Sequence, residues 1–289
     1  MEKVYISDSG PKVSKIIYGF WRWNAPEDLS KTEEVVNHCL QNGIQTFDHA
    51  DIYGNYQIEE NFGKIFQSKS IKREEVVLFS KAGICKTSQG QTYYNTSSEH
   101  IFKSIDESLR QLHTDYIDVF LLHHPDHITP LEETAKALAH VVATGKVKRV
   151  GVSNFSVFQH QKLASFLPFP IVTNHIELNL HNLSALEDGR VDFLKQQFCK
   201  PLAWAPLAGG KISHGKDLKS ELIRNKLEAI AQEHQAHIEQ VAVAWLLQLG
   251  TLPIVGTLNK ERITNAANAT NLTLSHEHWY EIYHLAKSL

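Results

Sequence analysis

Cysteine is scarce in this 289-residue chain: Cys39, Cys85 and Cys199 are odd in number, widely spaced and never in a CxxC arrangement. That argues against a disulfide framework and a thiolate metal centre, and it fits a reducing, cytoplasmic setting. A surplus of one charge is missing too. With 29 Lys+Arg against 32 Asp+Glu the formal net charge is −3, so nothing draws the chain to nucleic acid or an anionic membrane, and any anionic ligand must be held locally. No apolar run approaches the roughly 18 residues needed to span a bilayer. The N-terminal MEKVYISDSG lacks the basic-then-apolar order of a secretory leader, so a soluble, unsecreted protein is expected. No low-complexity stretch or Pro/Gly-rich linker divides the chain, and one domain over 1–289 is expected. No GxGxxG follows the first apolar run, which disfavours an open doubly wound sheet.

What is present is alternation. Eight short β-branched runs, VSKIIYGF, IQTFD, VVLFSK, YIDVFLLHH, VKRVGVSN, IVTNHIE, PLAWAP and LPIVGT, are separated by segments with apolar residues at helical spacing. Val35, Val36, Cys39 and Leu40 form one such set, and Ile101, Ile105 and Leu109 another. Gly43 and Gly145 fall just past two of these helices, where a left-handed residue closes the last turn. Strands joined by helices pair in parallel through right-handed crossovers, and eight units predict an α/β fold, a closed (β/α)8 barrel. Residues 1–12, with the turn-prone Asp8-Ser9-Gly10, read as a hairpin cap. Two polar loops, at about 82–96 and 207–219, are long for a compact barrel and are candidates for function.

Active sites in such barrels lie at the C-terminal ends of the strands. There the sequence concentrates chemistry: Asp48 ends the second strand with Tyr53 shortly after, Lys81 ends the third, and His123 ends the fourth beside His124. Singly, each is more often a rim or packing residue; together they form a proton-donating set. Free tyrosine titrates near pH ~10, and a nearby ammonium stabilises its phenolate. Asp48 would hold Lys81 charged, and His123 would steer a substrate oxygen. Reduction of a carbonyl is the reaction this suits. The chain has 17 histidines, and the cluster His123, His124, Asp126 and His127 invites a metal reading. No HExxH or HxH ends a strand, so no metal site is expected. Cys85 reads as a packed thiol.

FDHADIYG at 47–54, LLHHPD at 121–126 and GVSNF at 151–155 are similar to motifs of the aldo-keto reductases, in matching order along essentially the whole chain. The resemblance implies a tetrad of Asp48, Tyr53, Lys81 and His123, with Tyr53 as general acid. It implies that Ser153 and Asn154 bind the nicotinamide carboxamide and that Trp204 stacks on the ring. One departure stands out: Asn174-His175-Ile176-Glu177 places His175 where the family commonly has glutamine, and an imidazole offers only one such hydrogen bond.

A phosphate site after strands seven and eight recurs in barrels. Ala205, Pro206, Leu207, Gly209, Gly210 and Lys211 after the seventh strand, and Gly256, Thr257, Leu258, Asn259 and Arg262 after the eighth, are the cofactor-binding candidates. The family often has Lys where this chain has Gly256. Arg262 gives a bidentate phosphate grip, so NADPH is expected rather than NADH. Trp21 and Trp23, with Phe20, and His124 are expected to border the substrate, and aromatic walls suggest an apolar or aromatic carbonyl. The expectation is a monomeric, NADPH-dependent carbonyl reductase; a cofactor-sensing subunit with slight turnover is the alternative, because fold does not fix function.

Overall fold

The computed structural model describes residues 1–23, 29–69 and 71–288. Its strands, in chain order, are β1 (Lys3–Tyr5), β2 (Lys12–Ser14), β3 (Ile17–Gly19), β4 (Thr46–Asp48), β5 (Val77–Ala82), β6 (Ile84–Lys86), β7 (Thr92–Tyr94), β8 (Ile117–Leu122), β9 (Val147–Ser153), β10 (Asn174–Glu177), β11 (Leu202–Trp204) and β12 (Leu252–Val255). Eight of these close a barrel in the order β10-β11-β12-β3-β4-β5-β8-β9, all in parallel register. The helices are α1 (Leu29–Gln41), α2 (Ile58–Gln67), α3 (Ser98–Gln111), α4 (Leu131–Ala143), α5 (Val157–Ala164), α6 (Ser184–Glu187), α7 (Arg190–Gln196), α8 (Lys211–His214), α9 (Leu218–Glu233), α10 (Ile238–Gln248), α11 (Lys260–Asn268) and α12 (His276–Ser288).

The two-residue period of each strand divides its side chains between two cores. Ile17, Phe79, Val119, Leu121, Leu202, Leu252 and Ile254 meet in one cluster inside the barrel. Their neighbours face the helices: Tyr18, Phe47 and Leu78 pack with α1 and α2, and Phe120, Leu122, Val150 and Val152 with α3 and α4. Continuing the inward series by two residues puts Lys81 above Phe79, His123 above Leu121 and Trp204 above Leu202. The layering that fills the barrel therefore also delivers polar groups to its C-terminal rim.

Three boundaries differ from the sequence expectation. The N-terminal hairpin is antiparallel as expected, but its second strand runs on to Ser14, and the barrel begins at Ile17. Ser14 is tied outside the barrel ladder: its N–H donates to Thr46 Oγ1 at 3.0 Å and its hydroxyl to the Ile16 carbonyl at 2.7 Å. The expected loop at 82–96 holds a hairpin of its own, β6 paired with β7. The segment 207–219 contains a 3-10 turn over Ala208–Gly210 and the short α8, because the glycines allow the sharp reversal that the chain makes between them.

Helix α2 touches α3 at Gly63, where a Cβ would collide with the carbonyl oxygen of Gln111. That collision is with backbone and has no cheap relief. Gly63→Ala should therefore lower the unfolding free energy by about 1–3 kcal/mol, despite alanine's better helix propensity, measured by urea denaturation.

Candidate active site

The C-terminal mouth of the barrel opens into a cavity of about 640 Å³ bordered by Asp48, Tyr53, Lys81, His123, Ser153, Asn154, His175 and Trp204. All four residues of the expected tetrad thus share one space. Lys81 is 2% exposed, and its ammonium donates to both Asp48 carboxylate oxygens at 2.8 Å and to the His49 carbonyl at 2.6 Å. Gly19 makes room for this pair: a Cβ there would lie 2.8 Å from Ile254 and 3.7 Å from Asp48 Oδ2. Lys81 Nζ sits 4.9 Å from the centre of the Tyr53 ring, and the His123 ring meets that ring edge-on at 5.9 Å.

Tyr53 stands on a loop rather than a strand. The loop is hung on β5 by His49 N–H to Phe79 O at 2.8 Å and Asp51 N–H to Lys81 O at 3.0 Å. It then turns through three consecutive positive φ values, at Gly54, Asn55 and Tyr56, a conformation that costs the two non-glycine residues about 1–2 kcal/mol each. The surrounding contacts hold it there.

Electrostatically the site is dry. Burial pushes the Tyr53 hydroxyl above its ordinary value, while the Lys81 charge pulls the other way without overcoming it. Lys81 thus stabilises the phenolate as the sequence suggests, but desolvation is the larger effect. Burial alone would strip Lys81 of its proton, yet Asp48 and Tyr53 more than reverse this and keep it charged. Burial drives His123 and His175 well below the ordinary histidine value, helped by Lys81, so both imidazoles are neutral at pH 7. Among the described residues His175 Nε2 makes no hydrogen bond; it lies 3.8 Å from Asp48 Oδ1.

Asn154, with φ +62°, is locked among neighbours. Its amide nitrogen donates to Ser153 Oγ at 3.1 Å and to the His123 carbonyl at 3.3 Å, and its oxygen accepts from Trp204 Nε1 at 3.1 Å. A second, smaller cleft of about 90 Å³ is lined by Ala205, Pro206, Leu207, Gly209, Gly210, Gly256, Thr257 and Arg262; it shares Trp21, Ala205, Gly209 and Ile254 with the first. The two form a continuous trough. A Cβ at Gly256 would lie 2.8 Å from the Gly19 carbonyl and 3.4 Å from the Trp21 ring, so a larger residue there would require this loop or its neighbours to shift. Lys211 borders the larger cavity. Asn259 instead caps α11, its side chain accepting from the Arg262 N–H at 3.3 Å, and Leu258 borders neither cleft.

Of the expected substrate wall, Trp21 borders both clefts and is 54% exposed. Trp23 does not: it is 2% exposed, donates Nε1–H to the Tyr18 hydroxyl at 3.1 Å and touches only a separate shallow depression beside Tyr53 and Lys86. Phe20 is buried and stacks on His49. His124 turns outward and stacks on Tyr94 of β7 at 3.9 Å, because the hairpin supplies an aromatic face there. In their place the cavity is lined by Glu177, Asn179, His181 and Asn182. Of these only Glu177 was signalled in sequence, two residues beyond His175 on the same strand. Arg22 and Glu239 border the smaller cleft and carry no sequence signal.

Residues 15–287 match the Aldo/keto reductase family. The chain belongs to that family. It is 37% identical to the uncharacterized oxidoreductase YcsN of Bacillus subtilis, over 98% of this chain and 97% of that protein. With the 6-dehydroglucose reductase of Agrobacterium fabrum it shares 36% identity over 99% of this chain and 98% of that one. Its fold matches the crystal structure of a thermostable aldo-keto reductase, Tm1743, in complex with the inhibitor epalrestat, with a TM-score of 0.87 and 27% identity over 99% of this chain and 100% of that chain. This aldo-keto reductase is an enzyme that reduces carbonyl compounds, from a family that uses nicotinamide cofactors.

Removing Lys81 should expose the cost of the buried carboxylate. Lys81→Met is expected to lose about 3–5 kcal/mol of stability at neutral pH, because it leaves Asp48 buried and unpaired. As pH falls Asp48 takes up a proton and the deficit should shrink; Asp48→Asn in the same chain should recover part of it at pH 7. Urea unfolding across pH reads both.

Proposed function

We propose that the enzyme uses NADPH and that Tyr53 is the proton donor. The observation that carries this is the Tyr53 ring set 4.9 Å from the ammonium of an intact Lys81–Asp48 ion pair, with all three residues bordering the cavity. When bound, the nicotinamide supplies the hydride. Trp204, Ser153, Asn154 and His175 would hold its ring end, with Ser153 keeping a hydroxyl proton to donate while its oxygen accepts from Asn154. His175, neutral and single-handed, would make one hydrogen bond where a glutamine makes two.

Neutral His123 can donate one N–H to a carbonyl oxygen and hold it near Tyr53. Tyr53 then gives its proton to that oxygen as negative charge develops, and Lys81 steadies the phenolate left behind. The residues after β11 and β12 form the rest of the grip. The glycine-rich turn at Gly209 and Gly210, whose Gly210 N–H is spent on the Leu207 carbonyl at 2.9 Å, and the guanidinium of Arg262 border the smaller cleft; a guanidinium can grip a phosphate in bidentate fashion, which supports NADPH over NADH. We read the enzyme as a monomer.

For the substrate, the polar set Glu177, Asn179, His181 and Asn182 borders the cavity with Trp21, where Trp23, Phe20 and His124 were expected. That supports a small hydroxylated aldehyde or ketone in preference to an aromatic one, in keeping with the name of the Agrobacterium relative, 6-dehydroglucose reductase.

Tyr53→Phe should bind NADPH as wild type does by fluorescence titration, while carbonyl reduction falls on the order of 10²–10⁴-fold; full activity would remove Tyr53 from its role. Arg262→Ala should weaken NADPH about tenfold or more and NADH little, since only the former carries the extra phosphate. Hydroxylated aldehydes should outperform aromatic ones in kcat/KM by cofactor absorbance.

A further inference from the structure

Behind β5, on the side away from the cavity, lie two buried carboxyl groups that the chemistry above leaves unused. Glu59 of α2 is 1% exposed and accepts from Ser80 Oγ at 2.5 Å and Ser108 Oγ at 2.8 Å. Asp51 is 8% exposed, its Oδ1 without a hydrogen-bond partner among the described residues, and the Ser104 hydroxyl of α3 favours its ionised form. Ser104 and Ser108 stand one turn apart on α3, so a single helix face serves both carboxyls. Ser80 and Lys81 are successive on β5 and point to opposite sides of it. The strand therefore carries Glu59's partner on one face and the catalytic ammonium on the other. The Asp51 N–H is bonded to the Lys81 carbonyl at 3.0 Å.

We propose that Asp51 and Glu59 act as one buried acid pair behind the Tyr53–Lys81 couple, a positioning unit whose proton content sets how readily Tyr53 gives up its own proton. This rests on the reading of Tyr53 as the proton donor. Fully ionised, Asp48, Asp51 and Glu59 would face a single cation, Lys81, already paired with Asp48. Burial is the main force that pushes Asp51 and Glu59 each up to about 7, and at Asp51 the Glu59 charge adds to it. Buried like charges that bear on each other titrate as a pair. Lys81 bears on both and favours their ionised forms, as do the hydroxyls of Ser80, Ser104 and Ser108; Glu107 of α3 opposes ionisation of Glu59. Tyr56 and Cys85 also sense the Asp51 charge. His49 is neutral, held down to about 3 by burial.

Further out, Ser104 Oγ lies 3.4 Å from Nε2 of half-buried His100, and that nitrogen is 3.5 Å from Cys85 Sγ at the base of the β6–β7 hairpin. The output is electrostatic: an ionised Asp51 disfavours the Tyr53 phenolate, so Tyr53 becomes a weaker acid as pH rises through neutrality.

Two measurements test this. Infrared spectra without turnover should show a protonated buried carboxyl band that disappears as pH rises through about 7 and is reduced in Asp51→Asn. The kcat for any carbonyl that wild type reduces should fall about three- to tenfold across the same range to a plateau, with little change in KM. Asp51→Asn should abolish this step. Glu59→Gln should move it to lower pH, because a repelling charge is gone; Ser104→Ala should move it to higher pH, because a hydroxyl that favours the Asp51 carboxylate is gone. These opposite shifts decide the matter if Asp51→Asn fails to fold. An infrared band that does not titrate near neutrality, or a step unmoved in all three variants, overturns the inference. Full activity in Tyr53→Phe would instead overturn the proton-donor reading, and the infrared titration would still report on the pair.

Discussion

A lysine ammonium cannot stand alone in the packed interior of a barrel, and much of the local architecture follows from how Lys81 is kept charged. Taking it out of water is costly, and only close, well-aligned acceptors repay that cost. Asp48 provides two of them and the His49 carbonyl a third. To bring them together β4 must end where it does, β3 must carry glycine beside the carboxylate, and the chain after Asp48 must bend back over β5. That bend places Tyr53 above the ammonium. The strain of three successive left-handed residues follows from the same requirement.

The same charge organises the neutral groups around it. Histidines near a buried cation in a desolvated space lose their protons, so His123 and His175 face the cavity as neutral donors and acceptors. The carboxyls behind the strand feel the opposite pull. Burial keeps Asp51 and Glu59 from ionising readily, while Lys81 draws them toward ionisation, and the balance falls near neutrality. The Lys81–Asp48 pair on one side of β5 is thus backed by a second set of buried ionisable groups on the other.

The tetrad was legible in sequence because strand ends concentrate chemistry at one rim, and because Asp48, Lys81 and His123 fall on the inward phase of their strands. Tyr53 was legible only through its motif, since nothing in local periodicity says where a loop residue will point. Trp23 and Phe20 show the converse error. An aromatic just after a strand looks like a pocket wall, but here Tyr18, Phe47 and Phe62 already form a cluster that draws both inward. Glu59 gave no signal, because a glutamate in the first turn of a helix ordinarily faces water.

The sequence by itself determined the alternation of strands and helices, the closed parallel barrel, and the residue types at its rim, because a two-residue period and short crossovers leave few other solutions. Tertiary structure decided which side chains share a dry space. Desolvation and distance, not residue type, make Tyr53 a weak acid beside Lys81, turn His124 out toward Tyr94, and bury two carboxyls against three serines. Those quantities exist only once elements far apart in the chain have packed together.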